Sequence, residues 1–167
     1  MANEHAPIRL IIEKRRRRLS VVAGDRPVQS YPIVLGRNAA ADKRVEGDEA
    51  TPLGEFYICA RNPRSRFFLS LCISYPATAH ADRGLAAGVI DPVEHAAILA
   101  AQAARRMPPQ KTGLGGEIYI HGRDAAHEPA AGGEARDWTR GCIALDNPAM
   151  AEIYALAALG TPVTILD

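Results

Sequence analysis

Apolar and polar residues alternate through much of the first half of the chain. In "IRLIIE" (8–13) Ile8, Leu10 and Ile12 fall on one face with period two, which predicts a half-buried strand. "LSVVA" (19–23) and "VQSYPIVLG" (28–36) follow, separated by the turn-forming "GDRP" at 24–27. "GEFYICA" (54–60) and "RFFLSLCISY" (66–75) predict two strands flanking a hairpin loop, "RNPRS". "GEIYIHG" (116–122), "CIAL" (142–145) and "TPVTIL" (161–166) add three short strands. Two segments change to the helical period. "DPVEHAAILAAQAARRM" offers Asp91 as N-cap, Pro92 in the first turn, Glu94 for a capping box and Arg105 and Arg106 in the last turn. "NPAMAEIYALAALG" has Asn147 as cap, Pro148 opening and Gly160 closing, with Met150, Ile153, Tyr154 and Ala157 on one face. The pattern predicts one mostly-β domain over residues 8–167, one or two covering helices, and a short tail at 1–7.

Composition agrees with a globular domain. The 167 residues are 47% hydrophobic and 23% charged, with a net charge of +1, so no global field draws in nucleic acid or an anionic membrane. No apolar run is long enough to span a bilayer. The opening residues lack the order of a signal peptide, so the chain is expected to stay inside, to leave by another route, or to have lost a leader. The run "KRRRR" (14–18) lies between two strand patterns and reads as a solvated hairpin turn. Nucleic-acid binding is the weaker reading, because no aromatic stacking platform accompanies the run. "KTGLGG" (111–116) lacks the full dinucleotide fingerprint and reads as a loop needing positive φ.

Candidate chemistry narrows to a few side chains. Cys59, Cys72 and Cys142 show no CxxC spacing, and Cys59 and Cys72 sit in apolar runs as buried fillers. His5, His80, His95 and His127 show no metal-ligand spacing, and no metal or cofactor is expected. His121 is placed differently: it ends an apolar strand and Gly122 follows at once. A cysteine nucleophile needs its thiolate, and an imidazole can take the proton. The loop from Arg123 to Thr139 is able to bring Cys142 back beside His121. Gly141 permits a tight turn that aims successive N–H groups at one spot, as an oxyanion requires. Taken alone, one histidine and one cysteine leave a packed core thiol as the other reading.

"IYIHG" (118–122) followed by "TRGCIALDN" (139–147) resembles the L,D-transpeptidase catalytic domain, the YkuD-like family of bacterial cell-wall enzymes. "YPIVLG", "GDEATPLGEFYI", "SYP" and "GTPVTIL" stand in the family's order, so the resemblance runs from about residue 8 to the end. It implies a β-sandwich-like fold with Cys142 as nucleophile, His121 as base and then acid, and the Gly122 carbonyl orienting the imidazole. It also implies an oxyanion hole of the Arg140, Gly141 and Cys142 amides, with Thr139 bracing the turn. The implied substrates are peptidoglycan stem tetrapeptides, which would lose D-alanine through a thioester before transfer to an amine. Carbapenems are the expected inhibitors, and the periplasm or cell envelope the expected location. Tyr75 and Trp138 are expected to wall the substrate groove. Ala144 stands where many members have arginine, and Arg140 where many have histidine. Three rivals are a hydrolase (L,D-carboxypeptidase or endopeptidase) with the same site, a silent wall-binding domain and a nucleic-acid binder.

Overall fold

Period-two burial builds a single sheet, because each alternating run hides one face and leaves its backbone donors to a neighbour. The computed structural model describes residues 7–131, 133 and 135–167. His5 and all of the expected 1–7 tail except Pro7 lie outside the described residues. The strands are β1 (Ile8–Glu13), β2 (Arg18–Ala23), β3 (Arg26–Pro32), β4 (Gly54–Ser65), β5 (Phe68–Ile73), β6 (Tyr119–His121), β7 (Ile143–Ala144) and β8 (Pro162–Leu166). They form one curled half-barrel sheet in the order β3-β2-β1-β8-β4-β5-β6-β7. The connection after β3 crosses to the far end of that order: Val34 bridges Ala144 and Gly36 bridges Thr139. Reciprocal bonds of 2.9 Å between Val34 and Ala144 hold it there, so β7 does not end in an open edge. The mostly-β expectation stands. Leu10, Ile12, Leu71, Ile120, Ile143 and Val163 are all fully buried in its core, each stabilising the fold by roughly 1.5–3 kcal/mol.

Three α-helices cover the described residues: α1 (Thr78–Ala86), α2 (Pro92–Ala103) and α3 (Asn147–Leu156). Helix α2 begins as expected, with Asp91 accepting from the Glu94 amide and Glu94 reaching back to the Asp91 amide. It ends at Ala103, so Arg105 and Arg106 lie just beyond it, and Arg105 turns the chain with φ +51°. Helix α3 is capped by Asp146 rather than Asn147: Asp146 accepts from the Ala149 amide at 2.8 Å. Asn147 is already committed elsewhere, to the backbone of Arg123.

Helix α1 is an addition to the two helices legible in the sequence. Its N-terminal amide, Ala77 N–H, donates to His80 Nδ1 at 3.3 Å, while His80 Nε2–H donates to the Leu53 carbonyl at 3.0 Å. That tautomer is the neutral ring. Burial first, and the Arg83 charge second, depress the His80 pKa from 6.5 to about 4. A depressed folded-state pKa leaves full stability above the unfolded value and loses it as pH falls toward the folded one. About 3 kcal/mol should therefore vanish between roughly pH 6.5 and 4. His80→Gln should flatten that part of a urea-denaturation series against pH; an unchanged slope would contradict the assignment.

Three other expectations need correction. "RNPRS" is not a loop: β4 runs to Ser65 through shifts in register, and the turn falls at Arg66 and Phe67, followed by Phe68 with φ +76°. The Asn62 side chain bonds the Arg64 amide, which accommodates Pro63 at this outer end of the hairpin. The turn at 14–17 is not wholly solvated, since Lys14 is 1% exposed and donates to the Ala41 and Thr51 carbonyls, both at 2.7 Å. Around it Arg15 pairs with Asp167, Arg16 and Arg18 with Glu13, and Arg17 with Asp137. The arginines are thus taken up by neighbouring acids. Tyr75 is no groove wall: it is fully buried and gives its hydroxyl to the Leu114 carbonyl at 2.8 Å.

Candidate active site

Strands β6 and β7 run parallel, with Ile120 opposite Ile143 and His121 opposite Ala144. Alternation puts residue 142 on the side of the sheet taken by Ala144, so Cys142 lies diagonally across from His121. The polypeptide reaches that position through Thr139–Cys142. Thr139 is buried and braces the turn, giving its hydroxyl to the Cys142 carbonyl at 2.7 Å and accepting the Gly141 amide at 3.1 Å. Gly141 has φ +128°, a conformation closed to other residues, and a Cβ there would lie 2.7 Å from the Ala50 carbonyl. The Gly141 amide, expected among three oxyanion donors, is thus already held by Thr139.

The thiol is half-buried. It donates to the Glu117 carbonyl at 3.3 Å and accepts the Tyr119 amide at 3.4 Å. Glu117 is turned for this by φ +56°, with its own amide held by Gln110 Oε1 at 2.7 Å. Burial pushes the Cys142 thiol up to about 11; the Glu117 carboxylate adds to this, against the Tyr119 amide and the Lys43 ammonium. At rest the sulfur is therefore a thiol bonded to a carbonyl, not a thiolate facing an imidazolium.

His121 is 3% exposed. Its Nδ1 lies 2.6 Å from the Gly122 carbonyl, and a carbonyl only accepts, so the proton sits on Nδ1 and Nε2 keeps the free lone pair. Burial lowers its pKa below 6.5, opposed by the bond to Gly122. Phe67 stacks on the ring at 4.6 Å and Trp138 meets it edge-on at 5.6 Å. The exit from β6 is clamped by Asn147, which accepts the Arg123 amide at 2.8 Å and donates to the Arg123 carbonyl at 3.2 Å. Phe67 and Asn147 were not legible as site residues, since their roles depend on the hairpin turn and on α3 lying beside β6. Of the expected residues, the fold brings together Cys142, Gly141, Thr139, His121, Gly122 and Trp138 at one end of β6 and β7. Arg140 sits on the same turn with its side chain exposed.

A cysteine on a glycine turn and a histidine of fixed tautomer thus stand on neighbouring strands at one end of a curled sheet. Residues 7–165 match YkuD, the L,D-transpeptidase catalytic domain, and the chain belongs to that family. Solved structures share the fold. The helical cell shape determining protein Pgp2 from Campylobacter jejuni superposes with a TM-score of 0.63 at 20% identity, over 95% of this chain and 47% of its own. An L,D-transpeptidase from Mycobacterium smegmatis gives 0.57 at 13% identity, over 97% and 59%. LdtMt1 in complex with imipenem gives 0.53 at 12%, over 95% and 58%. The chain spans about half the length of these relatives. Comparison with curated protein sequences finds no match.

Proposed function

We propose that the protein is a cysteine-dependent L,D-transpeptidase acting on peptidoglycan stem tetrapeptides. The observation that carries this reading is the pairing of the Cys142 turn with a His121 whose Nδ1 is committed to Gly122, inside a domain of that family. The thiol leaves the Glu117 carbonyl, gives its proton to His121 Nε2 and attacks the amide before the terminal D-alanine. The Arg140 and Cys142 amides are the two donors left for the tetrahedral oxyanion, each worth roughly 3 kcal/mol in the transition state. His121 returns the proton to the departing amine of D-alanine, and an acceptor amine then resolves the thioester. The chemistry uses only groups of this chain and its substrates.

Product analysis on a defined tetrapeptide stem tests the reading. Released D-alanine with cross-linked dimers marks transfer, tripeptide alone marks the hydrolase, and binding without turnover marks the silent wall-binding domain. A relative holds imipenem, so intact-mass measurement after carbapenem exposure should show an adduct on Cys142.

The pH profile follows from the resting protonation state. His121 must be neutral to accept a proton, and its pKa lies below 6.5. The value of kcat/KM for D-alanine release should therefore rise with pH along an acid limb whose midpoint lies below 6.5, and then stay flat to about 9. An alkaline limb between about 7 and 9 would mean a thiolate–imidazolium pair instead.

A further inference from the structure

Beside His121, residues from Arg123–Pro129 and from Ala135–Trp138 line a cleft of about 220 Å³. It is lined by Arg123, His127, Glu128, Arg136 and Trp138, among others. Arg123 is 9% exposed, yet its Nε has no hydrogen-bond partner among the described residues. Trp138 Nε1 is likewise buried and unpartnered. Both are obligate donors, so both await an acceptor. The two aspartates flanking this loop are used elsewhere. Asp124 sits 2.5 Å from His127 Nδ1, and Asp137 is bound by Arg17 at 2.6 Å and by the Leu35 amide at 2.8 Å. A buried Nε–H without an acceptor costs about 1–3 kcal/mol, a cost that a bound anion's oxygen removes.

The donors are also held still. Asn147 fixes the Arg123 backbone on both sides. His127 stacks on the indole at 3.7 Å with an interplanar angle of 16°, and Phe67 packs on it at 5.4 Å. Two buried, unpartnered N–H groups on residues lining one cleft, which also holds Arg136, His127 and Glu128, suit an acceptor with two oxygens. Trp138 lines the cleft and also meets the His121 ring edge-on at 5.6 Å, so an anion held here lies near that ring.

We propose that Arg123 and Trp138 form a carboxylate-binding subsite beside His121, which takes a free carboxylate of the stem peptide. This rests on the function proposed above and deepens it. A stem of the diamino-diacid type offers two such groups, the side-chain carboxylate of its third residue and the C-terminal carboxylate of D-alanine.

The test is calorimetric binding to the Cys142→Ala protein of three tetrapeptides: the free acid, the form amidated at the third side chain, and the C-terminal amide. Charge-assisted bonds of this kind make a difference of roughly 10- to 100-fold. At least one amidation should weaken binding by that factor, and it identifies the carboxylate concerned. In Cys142→Ala/Arg123→Gln the same amidation should cost less than about threefold, and Arg123→Lys should restore part of the discrimination. Trp138→Phe, which keeps the ring and deletes the donor, should weaken the free acid about tenfold. Arg123→Gln should melt no lower than its parent, because it removes a buried Nε–H that has no partner; a fall of more than about 5 °C would mark a structural role and overturn the proposal. Equal affinity for all three peptides, or equal losses for acid and amides on Arg123→Gln, would also overturn it. D-alanine release by the unmodified protein without such discrimination would sink the subsite alone. Absence of both release and stem binding would sink the transpeptidase reading with it.

Discussion

Replacing Cys142 with alanine should lower D-alanine release by about four orders of magnitude or more, with the melting temperature within about 2 °C of the parent. The two halves of this expectation come from different physics. The rate falls because no other group can form the thioester, and the amides of the turn then have no oxyanion to stabilise. Stability barely moves because the sulfur is half-buried and its partners are one carbonyl and one amide at long sulfur distances of 3.3 and 3.4 Å. Cys142→Ser should be nearly as inactive. A hydroxyl in that place keeps the bond to Glu117 but is far harder to deprotonate by an imidazole whose pKa lies below 6.5. Coupled assay of D-alanine, with thermal melts of the same samples, checks both parts. Retained turnover in either variant would remove Cys142 from the mechanism.

Gly36→Ala should be the most destabilising small substitution near the site, at about 3 kcal/mol or more, or roughly 6–12 °C in Tm. A Cβ at Gly36 runs into the Glu49 carbonyl and lies 3.0 Å from Gly141 Cα. Both obstacles are backbone, so no rotamer change relieves them. Gly36 also bridges Thr139 and gives its amide to Thr51 Oγ1 at 3.1 Å, so any shift passes directly to the Cys142 turn. Carbapenem acylation of the variant should slow even at temperatures where it remains folded. Gly24→Ala is the control. Its φ of +59° is left-handed, unlike that of Gly36, but nothing lies within 4 Å of the added carbon, and roughly 1 kcal/mol is expected. Equal losses at the two positions would show that the close approach at Gly36 costs no more than the strained φ at Gly24.

Much of the fold was legible because its signals are local. Ile8, Leu10 and Ile12 alternate within one strand, and Asp91 and Glu94 cap α2 three residues apart, so neither needs knowledge of a distant neighbour. Helix α1 escaped notice because its N-cap is Ala77, with no Ser, Thr, Asp or Asn to mark it, and its start depends on His80 reaching Leu53. Asn147 looked like a cap by sequence, and only the approach of Arg123 shows why Asp146 takes that role. Tyr75 illustrates the same limit: an aromatic near a site motif is indistinguishable by sequence from one filling the core. The His121 and Cys142 motifs were readable as a pair. The aromatic surroundings of His121 were not, because Phe67 arrives from a hairpin tip whose length depends on register shifts in β4.

The anchoring of Lys14 bears on how the protein can be handled. The chain has three lysines, and two of them, Lys14 and Lys43, are at most 3% exposed, leaving Lys111 as the accessible one. Amine-directed dyes or resins, apart from reaction at the chain's amino terminus, should therefore attach at one known point on the folded domain. Slow appearance of a second and third label would time the opening of the structure around those buried ammonium groups.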